Sequence, residues 1–190
     1  MIDDAHGLGV LGPQGRGTLA AQGVAPASVH IHMGTFGKAL GVAGAFVGGS
    51  RELVDYLVNF ARHYVYSTHM PAAQACAVSK SIELVRAADE ARAHLARLIA
   101  RFRQRAEALG WTLGASNTPI QPLLVGESSA ALQLAERLRE RGVWVSAIRP
   151  PTVPVGTARL RITLCAAHGE DDVDRLLEAL GPCSSTDERG

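Results

Sequence analysis

The sequence predicts an α/β chain built in two parts, and three observations carry that prediction. Short β-rich stretches set among glycine-rich loops open the chain, and helical periodicity dominates residues 51–109. Past Gly110 the order becomes strand, helix, strand, strand, helix, which is the pattern of a compact α+β subdomain. The expected division is a first region at 1–110 that ends in a long connecting helix, a C-terminal α+β subdomain at 111–182, and a disordered tail at 183–190.

Residues 3–23 hold six glycines and a proline among short apolar residues, so they predict loop with tight turns. Residues 29–33 (VHIHM) alternate with period two and predict a short strand, and 44–48 (GAFVG) predict a second, buried one. The loop Gly34-Thr35-Phe36-Gly37-Lys38 lies between them. Residues 51–62 predict a helix with Leu53, Val54, Leu57, Val58 and Ala61 on one face. An extended segment at 64–68 leads to Pro71 in the first turn of a small-residue helix at 72–85. A longer helix at 88–109 spaces Leu95, Leu98, Ile99, Phe102, Ala106 and Leu109 at steps of three and four, and Gly110 stops it. Beyond it the sequence predicts strands at 120–125, 143–148 and 159–164, and helices at 129–141 and 171–180.

Composition narrows the function classes. The 190 residues carry 19 Lys plus Arg against 18 Asp plus Glu, a net charge of +1, which lacks the basic surplus a nucleic-acid partner needs. The longest weakly polar stretch, 39–49, is glycine-rich and too short to span a bilayer. The opening MIDDAHG has no apolar core of a secretory signal, so a soluble, cytoplasmic protein is expected. Cys76, Cys165 and Cys183 are scattered and form no C-x-x-C pair, which argues against a disulfide framework and a structural zinc site.

Some motifs mislead. Gly7-Leu8-Gly9-Val10-Leu11-Gly12 matches the dinucleotide-binding G-x-G-x-x-G, but PQGRG follows where a helix must start, so a glycine turn is the better reading. Asp3-Asp4-Ala5-His6 resembles an NTPase acidic box, yet the chain has no phosphate-cradling G-x-x-x-x-G-K-[ST] loop to serve it. His30 and His32 share a strand face but have no third metal ligand at a defined spacing, so no metal is expected.

What remains is a constellation. Asp3 precedes His6 by three residues at a strand-to-loop junction, and Lys38 sits in a glycine-rich loop with Thr35 before it. Ser67 and Thr68 are hydroxyls in an extended segment, and Arg159 and Arg161 share a strand face farther on. The set suits pyridoxal phosphate, which needs a Schiff-base lysine, a carboxylate for its pyridine nitrogen, and donors for its phenolic oxygen and phosphate. Taken one by one, Asp3 and His6 also fit a turn cap, Ser67 and Thr68 turn hydroxyls, and the arginines a solvated strand edge.

The segments DDAHGLGVLGPQGRG, TFGKALGVAGA, YSTHMPAA and RPPTVPVGTARLRIT together resemble the α-oxoamine synthase family of fold-type I pyridoxal phosphate enzymes, from Met1 to about Leu180. The resemblance implies part of an aminotransferase-like large domain with a mostly parallel sheet, followed by the α+β subdomain. It implies pyridoxal 5′-phosphate as cofactor, with Asp3 on the pyridinium nitrogen, His6 on the phenolic oxygen, Thr35 on the phosphate and Lys38 as the covalent attachment. Ser67 and Thr68 match a segment that reaches the phosphate in the neighbouring subunit of a homodimer. Thr152 falls at a substrate contact and Arg161 where an arginine holds the amino acid's carboxylate, a planar bidentate task. AIRPPTVPVGTARLRIT and FARHYVYST resemble most the member that condenses L-alanine with pimeloyl-CoA or pimeloyl-acyl carrier protein. Glycine C-acetyltransferase and 5-aminolevulinate synthase are sibling alternatives, and an inactive folded fragment is another. Family members are roughly twice as long, so the chain is expected to be the C-terminal half of such an enzyme.

Overall fold

The computed structural model describes residues 1–183, which form two compact units, Met1–Glu90 and a second that begins at Ala91. In the first unit β1 (Ile2–Asp3) pairs in parallel with β2 (Ile31–Thr35), and β2 pairs antiparallel with β3 (Ala45–Gly49). β2 starts two residues later than its apolar alternation suggests. The reason lies at its far end, where Thr35 pairs with Ala45 and the Phe36 amide donates to the Gly44 carbonyl at 2.9 Å, extending the ladder toward the loop. Among the described pairings only β1 with β2 is parallel, so this chain holds a small share of the parallel sheet the resemblance implies.

The glycine-rich stretch between β1 and β2 contains a short helix, α1 (Thr18–Ala21), which its composition did not reveal. Ser50 caps α2 (Arg51–Phe60) by accepting from the Leu53 amide. Ala61 then leaves helical geometry (φ −72°, ψ 103°), and the chain turns again as α3 (Arg62–Val65). Residues 64 and 65, expected to be extended, are therefore helical. α4 (Ala72–Arg86) follows Pro71 as the sequence predicts.

The second unit is built on α5 (Asp89–Ala108), whose Leu95, Leu98, Ile99, Phe102 and Ala106 are buried on the anticipated face. Because that face packs within the second unit, the boundary between the units falls at 90/91 rather than near 110. The order β4 (Ile120–Gly126), α6 (Ser128–Glu140), β5 (Ser146–Ile148), β6 (Ala158–Thr163), α7 (Glu170–Leu180) gives an antiparallel sheet in spatial order β4-β6-β5. One face of it is buried through Leu123, Val125, Ala158, Leu160 and Ile162, with Leu134 and Leu138 of α6 and Val173 and Leu177 of α7 also buried. Gln121, the one fully buried amide side chain in this sheet, is satisfied by Arg103 Nη1 at 2.8 Å and by the Ser116 and Thr118 carbonyls, as a buried polar group requires. The Cys183 amide donates to the Leu109 carbonyl at 2.8 Å, so ordered backbone runs into the first residue of the expected tail, and the remainder of 183–190 lies outside the described residues. No described helix is long and apolar enough to cross a membrane.

Candidate active site

The parallel pairing of β1 with β2 directs both carboxyl ends to one edge of the small sheet, the edge where α/β proteins bind ligands. Four of the residues singled out from the sequence gather there. Asp3 ends β1 opposite Met33, His6 lies in the turn just after it, Thr35 ends β2, and Lys38 follows in the β2–β3 connection. Asp3, His6 and Lys38 are exposed.

Strand alternation separates the two adjacent aspartates, which residue type alone does not. Asp3 is exposed, and its Oδ1 accepts from the Ala5 amide at 2.9 Å, a short turn that leaves the carboxylate at the surface. Asp4 is only 1% exposed and faces the other way. Its carboxylate accepts from the Thr18 amide at 2.9 Å and from the Thr18 hydroxyl at 2.5 Å, and it lies 3.2 Å from His32 Nε2. Asp4 is thereby held inside the fold, and Asp3 is the exposed member of the pair.

The lysine loop is held from below. Gly41 (φ 65°) and Gly44 (φ 110°) allow it to turn, and the Val42 amide closes back on the Phe36 carbonyl at 2.7 Å. Two side chains of α4 clamp its backbone: Gln74 donates to the Ala43 carbonyl at 2.6 Å and Ser81 to the Leu40 carbonyl at 2.5 Å. Leu40 is buried while its neighbour Lys38 stays exposed, so the loop is anchored on one side and presents the amine on the other. The turn after β1 touches it closely, since a Cβ built at Gly9 would lie 2.8 Å from Ala39 Cβ. Gln74 and Ser81 were not anticipated, being ordinary polar residues of a helix whose partners lie 31 and 41 residues away.

Thr35 provides the most telling feature. Its hydroxyl oxygen is buried and has no hydrogen-bond partner among the described residues. Such an orphan is uncommon in folded proteins and fits a site shaped for an acceptor brought by a ligand. An apolar cavity of about 540 Å³ lies in the same unit, lined in part by Leu8, Phe36, Leu40 and Phe46. Asp3, His6, Thr35 and Lys38 are absent from its lining, so it is not the candidate site.

The other expected residues are elsewhere. Ser67 donates to the His63 carbonyl at the end of α3, and Thr68 is exposed in the segment that follows. In the second unit Arg161 is exposed on β6 with Ser146 and Pro122 as its cross-strand neighbours, and half-buried Arg159 donates through Nε to the Thr157 carbonyl at 3.0 Å. Thr152 is exposed in the β5–β6 connection, where its amide donates to the Arg149 carbonyl at 3.1 Å.

The chain belongs to the aminotransferase class I and II family, whose profile matches residues 1–180. Among curated proteins it is 90% identical over 186 residues to an 8-amino-7-oxononanoate synthase of Aeromonas salmonicida, covering 98% of this chain and 47% of that protein. Among solved structures it is similar to 8-amino-7-oxononanoate synthase from Francisella tularensis, with a TM-score of 0.85 and 30% identity over 94% of this chain and 52% of that one. It is also similar to serine palmitoyltransferase from Sphingomonas wittichii, with a TM-score of 0.87 and 32% identity over 94% of this chain and 45% of that one. The chain spans about half the length of the curated relatives it matches.

Proposed function

We propose that this chain carries the lysine-bearing part of a pyridoxal 5′-phosphate-dependent acyltransferase, an 8-amino-7-oxononanoate synthase. The reaction is the decarboxylative condensation of L-alanine with a pimeloyl thioester, on coenzyme A or an acyl carrier protein, with release of carbon dioxide and the thiol. The observation that carries the reading is the orphaned Thr35 hydroxyl beside the Lys38 loop. A buried donor, an exposed amine and an exposed carboxylate at one strand edge fit the phosphate, aldehyde and pyridine nitrogen of the cofactor.

Bound there, the cofactor supplies an electron-poor ring that delocalises negative charge developing at an amino acid's α-carbon. The protein's own residues then have distinct tasks. Lys38 Nζ would anchor the cofactor, and the same amine would hold the α-proton as general base. The Asp3 carboxylate keeps a proton on the pyridine nitrogen by favouring its charged form. His6 donates to the phenolic oxygen and Thr35 Oγ1 to the phosphate, and together they hold the ring's orientation. The Arg161 guanidinium grips the amino acid's carboxylate through two parallel hydrogen bonds, with Thr152 as a further substrate contact.

The reading takes the enzyme as a cytoplasmic homodimer in which Ser67 and Thr68 serve the neighbouring subunit's phosphate. It is supported by the exposed aromatic run Tyr56, Phe60, Tyr64 and Tyr66, an apolar surface of the kind that marks protein contacts. The likeness to a serine palmitoyltransferase favours a second reading, with serine as amino donor. The identity of 90% to an 8-amino-7-oxononanoate synthase outweighs it, and amino-donor assays with L-alanine, glycine and L-serine on a full-length relative separate these and the sibling enzymes.

Phosphate recognition is tested by titrating the chain with pyridoxal 5′-phosphate and, separately, with pyridoxal. Thr35→Val is expected to weaken the phosphorylated form about tenfold, the effect of one hydrogen bond to a charged group, and to leave pyridoxal unchanged. Equal loss for both, or no loss, contradicts the assignment of Thr35.

A further inference from the structure

The buried Asp4 has no part in the chemistry just described, yet the chain invests unusual geometry in it. Its carboxylate joins three segments of the first unit. It receives the Thr18 amide and hydroxyl at the start of α1, it sits 3.2 Å from His32 Nε2 on β2, and its own carbonyl accepts from the Gly7 and Leu8 amides at 3.0 and 2.9 Å. Two glycines make the space for it. A Cβ at Gly7 would fall 2.0 Å from Asp4 Oδ1 and 2.4 Å from Thr18 Oγ1, and a Cβ at Gly17 would fall 2.0 Å from Asp4 Oδ2. No side chain larger than hydrogen fits at either position while the carboxylate stays where it is.

The segment fixed in this way is the turn that carries His6, and its other neighbour is Asp3. The Asp4 amide donates to the Met33 carbonyl at 2.8 Å, so the peptide between the two aspartates is pinned to β2. The carboxylate behind it pins the same peptide to the glycine loop. With both sides held, the directions of Asp3 and His6 are set by alternation along one short strand and one turn.

We propose that Asp4 is a positioning residue: through Thr18, His32 and the glycine cradle of Gly7 and Gly17 it fixes the turn that presents Asp3 and His6. The functional meaning rests on the cofactor reading given above, whereas the positioning itself is a property of the chain alone. A carboxylate serves better than an amide because it accepts from all three partners at once with both oxygens. A polar network that is fully satisfied rigidifies its surroundings, and one that loses a partner does not.

The test uses the 190-residue chain without cofactor. Amide hydrogen exchange and the ring resonances of His6 are recorded for the parent and for Asp4→Asn, Gly7→Ala, Thr18→Val and Thr18→Ser. Gly7 does not have the positive φ of the neighbouring glycines, so alanine there challenges only the contact with Asp4 and Thr18.

Asp4→Asn, Gly7→Ala and Thr18→Val are expected to speed exchange at residues 5–8 and 17–19 about tenfold and to shift the His6 ring signals, while β3 and α4 change less than about twofold. Thr18→Ser, which keeps the hydroxyl, is expected to restore the parent pattern. Unchanged exchange at 5–8 overturns the proposal, as does uniform acceleration through the whole first unit, which would make Asp4 a residue of general stability. A parent chain that takes up no pyridoxal phosphate on Lys38 counts against the cofactor reading, and the exchange pattern, read without cofactor, keeps the two failures apart.

Discussion

The two units of this chain spend their apolar residues differently. Among the described residues, the first unit buries Ala5, Leu19, Leu40 and Val78, whereas the second buries twenty apolar side chains, Leu98, Phe102, Leu123 and Leu160 completely. Exposure runs the other way. Val54, Tyr56, Val58, Phe60, Tyr64, Val65, Tyr66 and Leu84 of the first unit face solvent, while among the described residues of the second only Leu124, Leu132, Trp144 and Val155 are large, apolar and exposed. The candidate chemistry lies mainly in the poorly covered unit. Its local order comes from bonds between a side chain and the backbone, such as Gln74 to the Ala43 carbonyl, Ser81 to the Leu40 carbonyl and the Thr18 amide to the Asp4 carboxylate, more than from a packed interior. A site's geometry can be fixed by a few directed bonds while the stability of the body carrying it depends on surface being covered.

Breaking the well-packed unit is the strongest test of this contrast. Phe102→Ala removes a fully buried ring and is expected to cost about 3–5 kcal/mol in the second unit. Thermal melting followed with probes in each unit checks it, and the Lys38 loop is expected to keep its exchange protection. Simultaneous loss of both would show that the units do not hold their structure separately.

A smaller effect is expected at Gly9, where φ is +83° and a Cβ would press on Ala39. Gly9→Ala combines backbone strain with that contact, so a cost of about 1–3 kcal/mol is expected, confined to the first unit. Chemical denaturation read at each unit measures it, and a second unit that weakens equally would contradict the confinement.

The mildest change is one of pH, confined to the second unit. The hydrogen bond from Arg101 holds the Asp174 carboxyl below the ordinary carboxylate range, and the charges of Arg101 and Arg105 act the same way against the opposing effect of burial. A lowered folded value means that the ionised pair stabilises the second unit at pH above the unfolded value of about 4, and that this stabilisation fades as pH falls through the folded value. Asp174→Asn should therefore lower the melting temperature of the second unit by a few degrees near neutrality. The gap between variant and parent should close below about pH 4. A gap that persists in acid would mean the loss is packing and not charge.

Local pattern made much of this legible. The heptad-like spacing of Leu95, Leu98, Ile99, Phe102 and Ala106 marked both the long helix and its buried face, because a helix that packs on one side repeats its apolar residues every three to four positions. The glycines around Lys38 marked a loop with freedom to turn, and the structure puts a hairpin-like connection there. The face of α2 shows where pattern is insufficient. Val54 and Val58 have the spacing of a buried stripe and are exposed in this unit, since periodicity records that a face is meant to be covered and not by what. The break at Ala61 that sets α3 apart, the clamp from Gln74 and Ser81, and the opposite fates of Asp3 and Asp4 depend on contacts between residues far apart in sequence or on a strand only two residues long. No residue type signals them.

In the proposed reading the thinly packed unit offers Lys38 as the attachment point for pyridoxal 5′-phosphate. Incubating the 190-residue chain with the cofactor, reducing with borohydride and mapping the modified peptide by mass spectrometry tests it directly. A single stable adduct is expected on Lys38, absent in Lys38→Ala, with Lys80 left unmodified. No adduct, or one that survives the substitution and maps to Lys80, would contradict it and favour a folded fragment without cofactor chemistry.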